Sequence, residues 1–292
     1  MLDFRPISSV IPVFFLVLLG FLFARWKKIS LGPVTEIIVY LTTPSLAFTS
    51  LAGRPLFATD IVAVVSGLAG IMGGVGLLIW GYFRLFDFRS RGFALPALFM
   101  NAGNMGIPLA LFAFGEAGLQ RATLIFVANS ILQNSLGIYI LTGGNSGWRE
   151  MFRLPMIYAS VLGLAFNLAE IQVPAPLFTP LTLLGHSTIP LMLVSLGYRL
   201  SDLRSVMWRH SLGGALIRIV GGLLAAYAAV TVFGIEGVNR QVILLYGVLP
   251  SAVVNFIFTE KYQQDPDLAA SIILLTTLAS LVTIPLTLWL IM

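Results

Sequence analysis

The chain contains no cysteine. That excludes disulfide frameworks, thiolate nucleophiles and Cys-based metal sites, and leaves the compartment open. Histidine is nearly missing as well: His186 and His210 stand far apart and form no metal-ligand motif. Charge is scarce, at 10% of residues, against roughly 25% in a soluble domain. Such a chain cannot cover a water-facing surface, and with 58% hydrophobic residues and a mean hydropathy of +0.95 most of its surface must meet lipid or other helices. No Walker motif, no HExxH and no Ser/His/Asp arrangement occurs; ATP-driven pumping and intramembrane catalysis are therefore disfavoured. No cofactor or metal is implied. No mid-span pair of aspartates is present, as a sodium/proton antiporter would want. Polar stretches stay under about 15 residues, too short for a soluble domain of their own. The net charge of +5 is spread over short loops and speaks for topology rather than for nucleic acid.

What the chain does have is long apolar runs. A helix needs ~20 mostly apolar residues to cross a ~30 Å hydrocarbon core. That ruler gives ten spans, at 7–25, 32–52, 60–83, 93–114, 118–141, 155–170, 177–198, 211–233, 240–261 and 268–291. The runs are continuous rather than alternating, so strands are not expected. The first run is followed by Arg25, Lys27 and Lys28 and by no small-residue cleavage site, which reads as a retained helix rather than a signal peptide. Twelve Lys and Arg follow the odd-numbered spans: Arg25, Lys27, Lys28, Arg84, Arg89, Arg91, Arg149, Arg153, Arg199, Arg204, Arg209 and Lys261. Four lie on the other side, Arg5, Arg54, Arg121 and Arg240. The positive-inside rule makes the twelve cytoplasmic and turns both termini outward.

The two halves echo one another. Pro44 in the second span and Pro190 in the seventh are 146 residues apart, Pro108 in the fourth and Pro250 in the ninth 142 apart, and Asn129 and Thr276 in the fifth and tenth 147 apart. Five spans per half is odd, so the second half enters from the opposite side. This is an inverted repeat, with residues 1–144 and 155–292 as its halves and 145–154 as a short cytoplasmic linker.

Proline lacks an amide hydrogen and clashes with the carbonyl four residues back. The fourth and ninth spans are therefore expected to unwind just before Pro108 and Pro250, with each proline in the first turn of a new half-helix. Gly103, Gly106 and Gly247 would let the two broken segments approach and cross. Each half-helix start offers free amides and a positive dipole end, which together suit an anion. Asn101, Asn104, Ser251 and Asn255 flank the breaks and could add hydrogen bonds. Packed helices with plain proline kinks are the alternative.

Other polar residues have weaker claims. Asn129, Ser130, Gln133 and Asn134 bring amide character to the fifth span, but Gln133 and Asn134 cannot share one face of an α-helix, so only part of the set is expected to line a cavity. Thr276, Thr277 and Ser280 can simply pack helices, as can the hydroxyls beside Pro44 and Pro190. Glu36 and Arg218 are either functional charges or side chains reaching toward headgroups. His186 is either a packing residue or a proton-coupling one.

At these residues the chain resembles the auxin efflux carrier family. Asn101-Ala-Gly-Asn-Met-Gly-Ile-Pro-Leu109 is similar to that family's helix 4 crossover. Leu249-Pro-Ser251, Phe256-Ile-Phe-Thr-Glu-Lys-Tyr262 and Asp265-Pro-Asp-Leu268 are similar to its passage from helix 9 to helix 10, and Pro190 to Gly197 to its helix 7. The resemblance spans essentially the whole chain. It implies an all-α, ten-helix fold related to bile-acid symporters and sodium/proton antiporters. Helices 1, 2, 6 and 7 would form a scaffold and dimer side; helices 3–5 and 8–10 would form a transport domain working by an elevator mechanism. Carried over residue by residue, Asn101, Asn104, Pro108, Pro250 and Ser251 would face substrate, with Asn129. Thr142 to Leu154 is short where plant members carry a long hydrophilic loop, and Asn255 stands where they are more apolar. The short loop suggests a bacterial-type member in the inner membrane, and Asn255 speaks against a direct transfer of auxin specificity.

The sequence therefore reads as a secondary carrier for small organic anions. Gly106, Gln133 and Asn255 complete the candidate site of Asn101, Asn104, Pro108, Asn129, Pro250 and Ser251. A sodium-coupled carrier of bile-acid-symporter type and a non-transporting sensor or channel are the rival readings. A homodimer through the scaffold is expected from the resemblance.

Overall fold

The computed structural model describes residues 5–144, 152–201 and 208–292. Arg149 and Arg204, and the linker residues 145–151, lie outside them. Among the described residues the chain is all-helical, and its extended backbone pairing is a single isolated bridge between Met100 and Ser251.

In chain order the helices are α1 (Arg5–Trp26), α2 (Gly32–Ala52), α3 (Ala58–Leu85), α4 (Arg91–Leu98), α5 (102–114), α6 (116–142), α7 (Pro155–Leu168), α8 (Ala175–Leu200), α9 (Arg209–Val232), α10 (Gly237–Gly247), α11 (Val254–Lys261) and α12 (Pro266–Ile291). In lipid a helix satisfies every backbone group within its own segment, which is why these apolar runs coil rather than extend. Proline opens several of them at N1 or N2, at Pro33, Pro155 and Pro266, where its missing amide leaves nothing unsatisfied. α5 and α6 form one helical stretch of 41 residues, and a straight helix of that length would run about 60 Å, twice a bilayer core. Gly115 breaks it with φ 65 and ψ −156, a conformation closed to residues carrying a Cβ.

Among the described residues, six stretches are long and apolar enough to cross a membrane: α2, α3, the joined α5–α6, α8, α9 and α12. Shorter apolar helices lie at Val10–Trp26 and Pro155–Leu168. The outer surface is apolar too. Phe15, Leu22, Leu77, Leu183, Leu224 and Val282 are each more than half exposed, a coat that water would not tolerate and lipid would.

Two groups of helices emerge from the packing. α1 lies along α8, and α2 packs on α7 and α8. Gly20 meets the backbone of Val194, and Gly197 meets that of Val17, so no side chain separates α1 from α8 there. In the second group α3 packs on α9, α9 on α10 and α12, and α12 on α4. Gly70 and Gly74 of α3 rest on Ala229 and Ala225 of α9.

Among the described residues four π-helical turns interrupt the α-geometry: Ile38–Thr42, Ala102–Gly106, Gln133–Gly137 and Ile217–Gly221. Such turns cluster at functional sites. Here two of them carry Gln133 and Arg218.

Candidate functional site

The fourth predicted span divides into α4 and α5, and the ninth into α10 and α11. The interruptions meet. Asn101 N donates to Pro250 O (2.7 Å), and Ala252 N to Phe99 O (3.2 Å), so the two breaks pair as an antiparallel bridge. Met100 and Ser251 at its centre are fully buried.

The breaks fall differently from the proline-based expectation. In the first half the chain unwinds at Phe99–Asn101, well before Pro108, and Pro108 sits in the first turn of the continuing α-helix. The proline displaces the carbonyl of Asn104, four residues back, and the helix absorbs this as the π turn Ala102–Gly106 rather than by ending. In the second half Pro250 lies inside the break, and α11 begins only at Val254. The glycines also act differently. Gly106 does face the second interruption, through Tyr246 and Leu249, whereas Gly103 makes room for Phe126 and Gly247 packs on α9.

Side chains lock the crossing. Asn255, fully buried, donates to Phe99 O (2.9 Å) and to Ser251 Oγ (3.0 Å). Gln133 Nε2 donates to Asn255 Oδ1 (2.6 Å) and so ties α6 to the second break. Ser251 N donates to Thr276 Oγ1 (3.1 Å). The Tyr246 hydroxyl donates to the carbonyls of Ala102 (3.0 Å) and Ala122 (3.1 Å), joining α10 to the starts of α5 and α6.

Two adjoining cavities lie against this crossing. The smaller, about 90 Å³, is lined by Asn101, Asn104, Asn129 and Gln133 and by the first-turn residues of both returning helices: Ala102 and Gly103 of α5, Val253 and Val254 of α11. It shares Asn104, Ser130 and Gln133 with a larger cavity of about 290 Å³. The larger one adds Thr35, Thr43, Asn134, Ser195 and Arg199 to a wall of Phe126, Met156, Met192, Ile257 and Phe258. Arg199 is the one charged residue among those lining the pair, and its guanidinium donates to Thr35 Oγ1 (2.9 Å). Asn129 Oδ1 and Thr43 Oγ1 are buried with no hydrogen-bond partner among the described residues.

Of the nine candidate residues, Asn101, Asn104, Asn129 and Gln133 come together on the cavity wall. Gly106, Pro108, Pro250, Ser251 and Asn255 do not line either cavity; they shape and hold the crossing behind it. Gln133 and Asn134 line the larger cavity together, against the expectation that one face could not hold both. The π turn that begins at Gln133 widens the helix and departs from the ~100° α-helical step. Arg218 does not reach a headgroup region: it is fully buried at the crossing. Glu36 is exposed on α2. His186 is exposed as well, not packed, and lines a separate cavity of about 270 Å³ with Arg54 and Glu116. Sequence reasoning missed Arg199, Tyr246 and the pairing of Thr276 with Ser251. These depend on contacts across the fold that no local motif announces.

The lining is rich in hydrogen-bond donors. Two helix N-termini, four asparagines, a glutamine and several hydroxyls line it, and among the described residues no carboxylate does. Comparison with known proteins identifies the family. Residues 143–288 match the family model described as membrane transport protein. The chain is 29% identical to an uncharacterized transporter of Methanothermobacter thermautotrophicus, with 96% of each chain covered. It is 26% identical to a putative malonate transporter of Rhizobium meliloti, over 94% of this chain and 92% of that one. With auxin efflux carrier component 1 of Arabidopsis thaliana it shares 26% identity over 48% of its own length and 23% of the plant protein's. The chain thus belongs to the membrane transport protein family, the auxin efflux carrier family that its crossover motifs resemble, and it is a multi-pass membrane transporter rather than an enzyme.

Proposed function

We propose that the chain is a secondary carrier of small organic anions and binds its substrate in the paired cavities beside the crossing. One observation carries this reading: the first turns of both returning helices, α5 and α11, line the same small cavity. Each brings amides without intrahelical partners and the positive end of a dipole. A carboxylate placed there accepts from those amides and from Asn101, Asn104 and Asn129, while Arg199 at the larger cavity draws the anion in. The apolar wall of Phe126, Met192 and Phe258 accommodates the body of the acid.

In this reading the chain crosses the bacterial inner membrane ten times as two inverted repeats, with both termini outside. The helices that pack as one group, α1, α2, α7 and α8, form the scaffold and the dimer side. α3–α6 and α9–α12 form the transport domain, which carries the anion past the scaffold. The larger cavity fits this division, for its wall draws Thr43 and Ser195 from the first group and Asn104 and Gln133 from the second.

The test is a thermal-shift screen of purified full-length protein against malonate, other small carboxylates and auxin-like acids. At least one is expected to raise the melting temperature, and Asn104→Ala is expected to shrink that rise. If no organic anion stabilises the protein, or if Asn104→Ala is stabilised equally, the site is wrong.

A further inference from the structure

Beside the helix starts that line the small cavity, the crossing also has helix ends, and their carbonyls are occupied by a side chain. α4 ends at Leu98 and α10 at Gly247, and both C-termini point at Arg218 of α9. Arg218 Nη1 donates to Leu98 O (2.8 Å) and to Ala97 O (3.4 Å), and Nη2 donates to Gly247 O (3.1 Å). The side chain is fully buried, and among the described residues no carboxylate lies within ion-pair distance of it. Its charge is therefore balanced by the negative ends of two helix dipoles rather than by an acid. Local structure is fitted to this role. The π turn Ile217–Gly221 carries Arg218. Gly222 leaves the space the guanidinium needs, since a Cβ there would strike both Arg218 Nη2 and Gly247 O.

In transporters with broken helices, unwound carbonyls and half-helix C-termini are where coupling cations bind. We propose that Arg218 is the resident cation of this crossing: its guanidinium fills the carbonyl-lined position that a co-transported sodium ion would otherwise occupy, so the carrier moves its anion without sodium. Arg218 is then a positioning residue. It fixes both breaks so that the starts of α5 and α11 face one cavity, and it never touches the substrate. The proposal rests on the anion-carrier reading and removes its sodium-coupled rival.

Two measurements test it, each on full-length protein. In proteoliposomes under an imposed potential, wild-type malonate uptake should be equal with sodium or choline outside. Arg218→Ala should lose about tenfold or more, since three charge-assisted bonds vanish, and millimolar guanidinium should restore it several-fold where choline does not. Arg218→Lys, which keeps the charge, should retain part of the uptake, still without sodium. In the second measurement, guanidinium but not choline should raise the melting temperature of Arg218→Ala, and sodium should leave that of the wild type unmoved. Sodium-dependent wild-type uptake, a specific sodium-induced stabilisation, or an alanine variant that transports normally or ignores guanidinium would each overturn the proposal. Should the wild type take up no malonate with either cation, the carrier reading fails for that anion, and the melting measurement still decides the role of Arg218. If the alanine variant does not fold, Arg218→Lys and the wild-type sodium comparison decide it.

Discussion

Asn104 and Asn129 are the residues on which recognition should turn. Both line the cavity at the crossing, and Asn129 Oδ1 has no partner among the described residues. A hydrogen bond to a charged guest contributes about 1.5–3 kcal/mol, so alanine at either position should weaken anion binding roughly tenfold or more, as titration calorimetry would read. Asn255→Ala should behave differently. It deletes bonds to Phe99 and Ser251 and strands Gln133, so it should lower stability by about 2–3 kcal/mol and shift the melting temperature even without ligand. The sequence made Asn101, Asn104, Asn129 and Gln133 legible because polar amides in an apolar run need a reason to be there. It could not separate them from Asn255, because whether an amide faces a guest or a neighbouring carbonyl is settled by the partner strand, more than 100 residues away. Arg199 was counted only as a loop charge, since its place in the cavity depends on how α8 packs against α2.

At the scale of the helices, the span boundaries follow the apolar runs closely. α7, for example, was expected at 155–170 and ends at Leu168. The interruptions are legible as a matched pair, the second in place around Pro250 and the first misplaced by several residues, because a proline sets where a ladder is weakened and tertiary pairing sets where it opens. The reversal at Gly115 offers a direct test. Its φ and ψ belong to glycine, so Gly115→Ala should destabilise the protein by about 1–3 kcal/mol, measurable as a lowered melting temperature with the cavity intact. Gly197→Val should act by another route. Its side chain would collide with the backbone of Val17 and prise α8 from α1, with a larger stability loss.

For the whole molecule, membrane class was readable from composition alone, since 10% charge leaves little else possible. Sidedness rests on an arginine and lysine imbalance, and the lack of native cysteine makes it easy to examine. Arg240→Cys should react with an impermeant maleimide in intact cells, and Lys28→Cys only after permeabilisation; the reverse pattern would invert the proposed topology.

The bridge between the two interruptions also bears on how the protein is made. Phe99 and Asn101 find their backbone partners in Pro250 and Ala252, about 150 residues later in the chain. At a synthesis rate of ~5–20 residues per second, the first break leaves the ribosome on the order of ten seconds before anything can pair with it. Through that interval its open carbonyls and amides sit in the bilayer with water or a chaperone as their only company. An N-terminal half expressed alone, residues 1–144, should therefore be degraded quickly. Supplying residues 145–292 as a separate chain should rescue it, because the pairing at the centre asks for proximity and not for a covalent link between the halves.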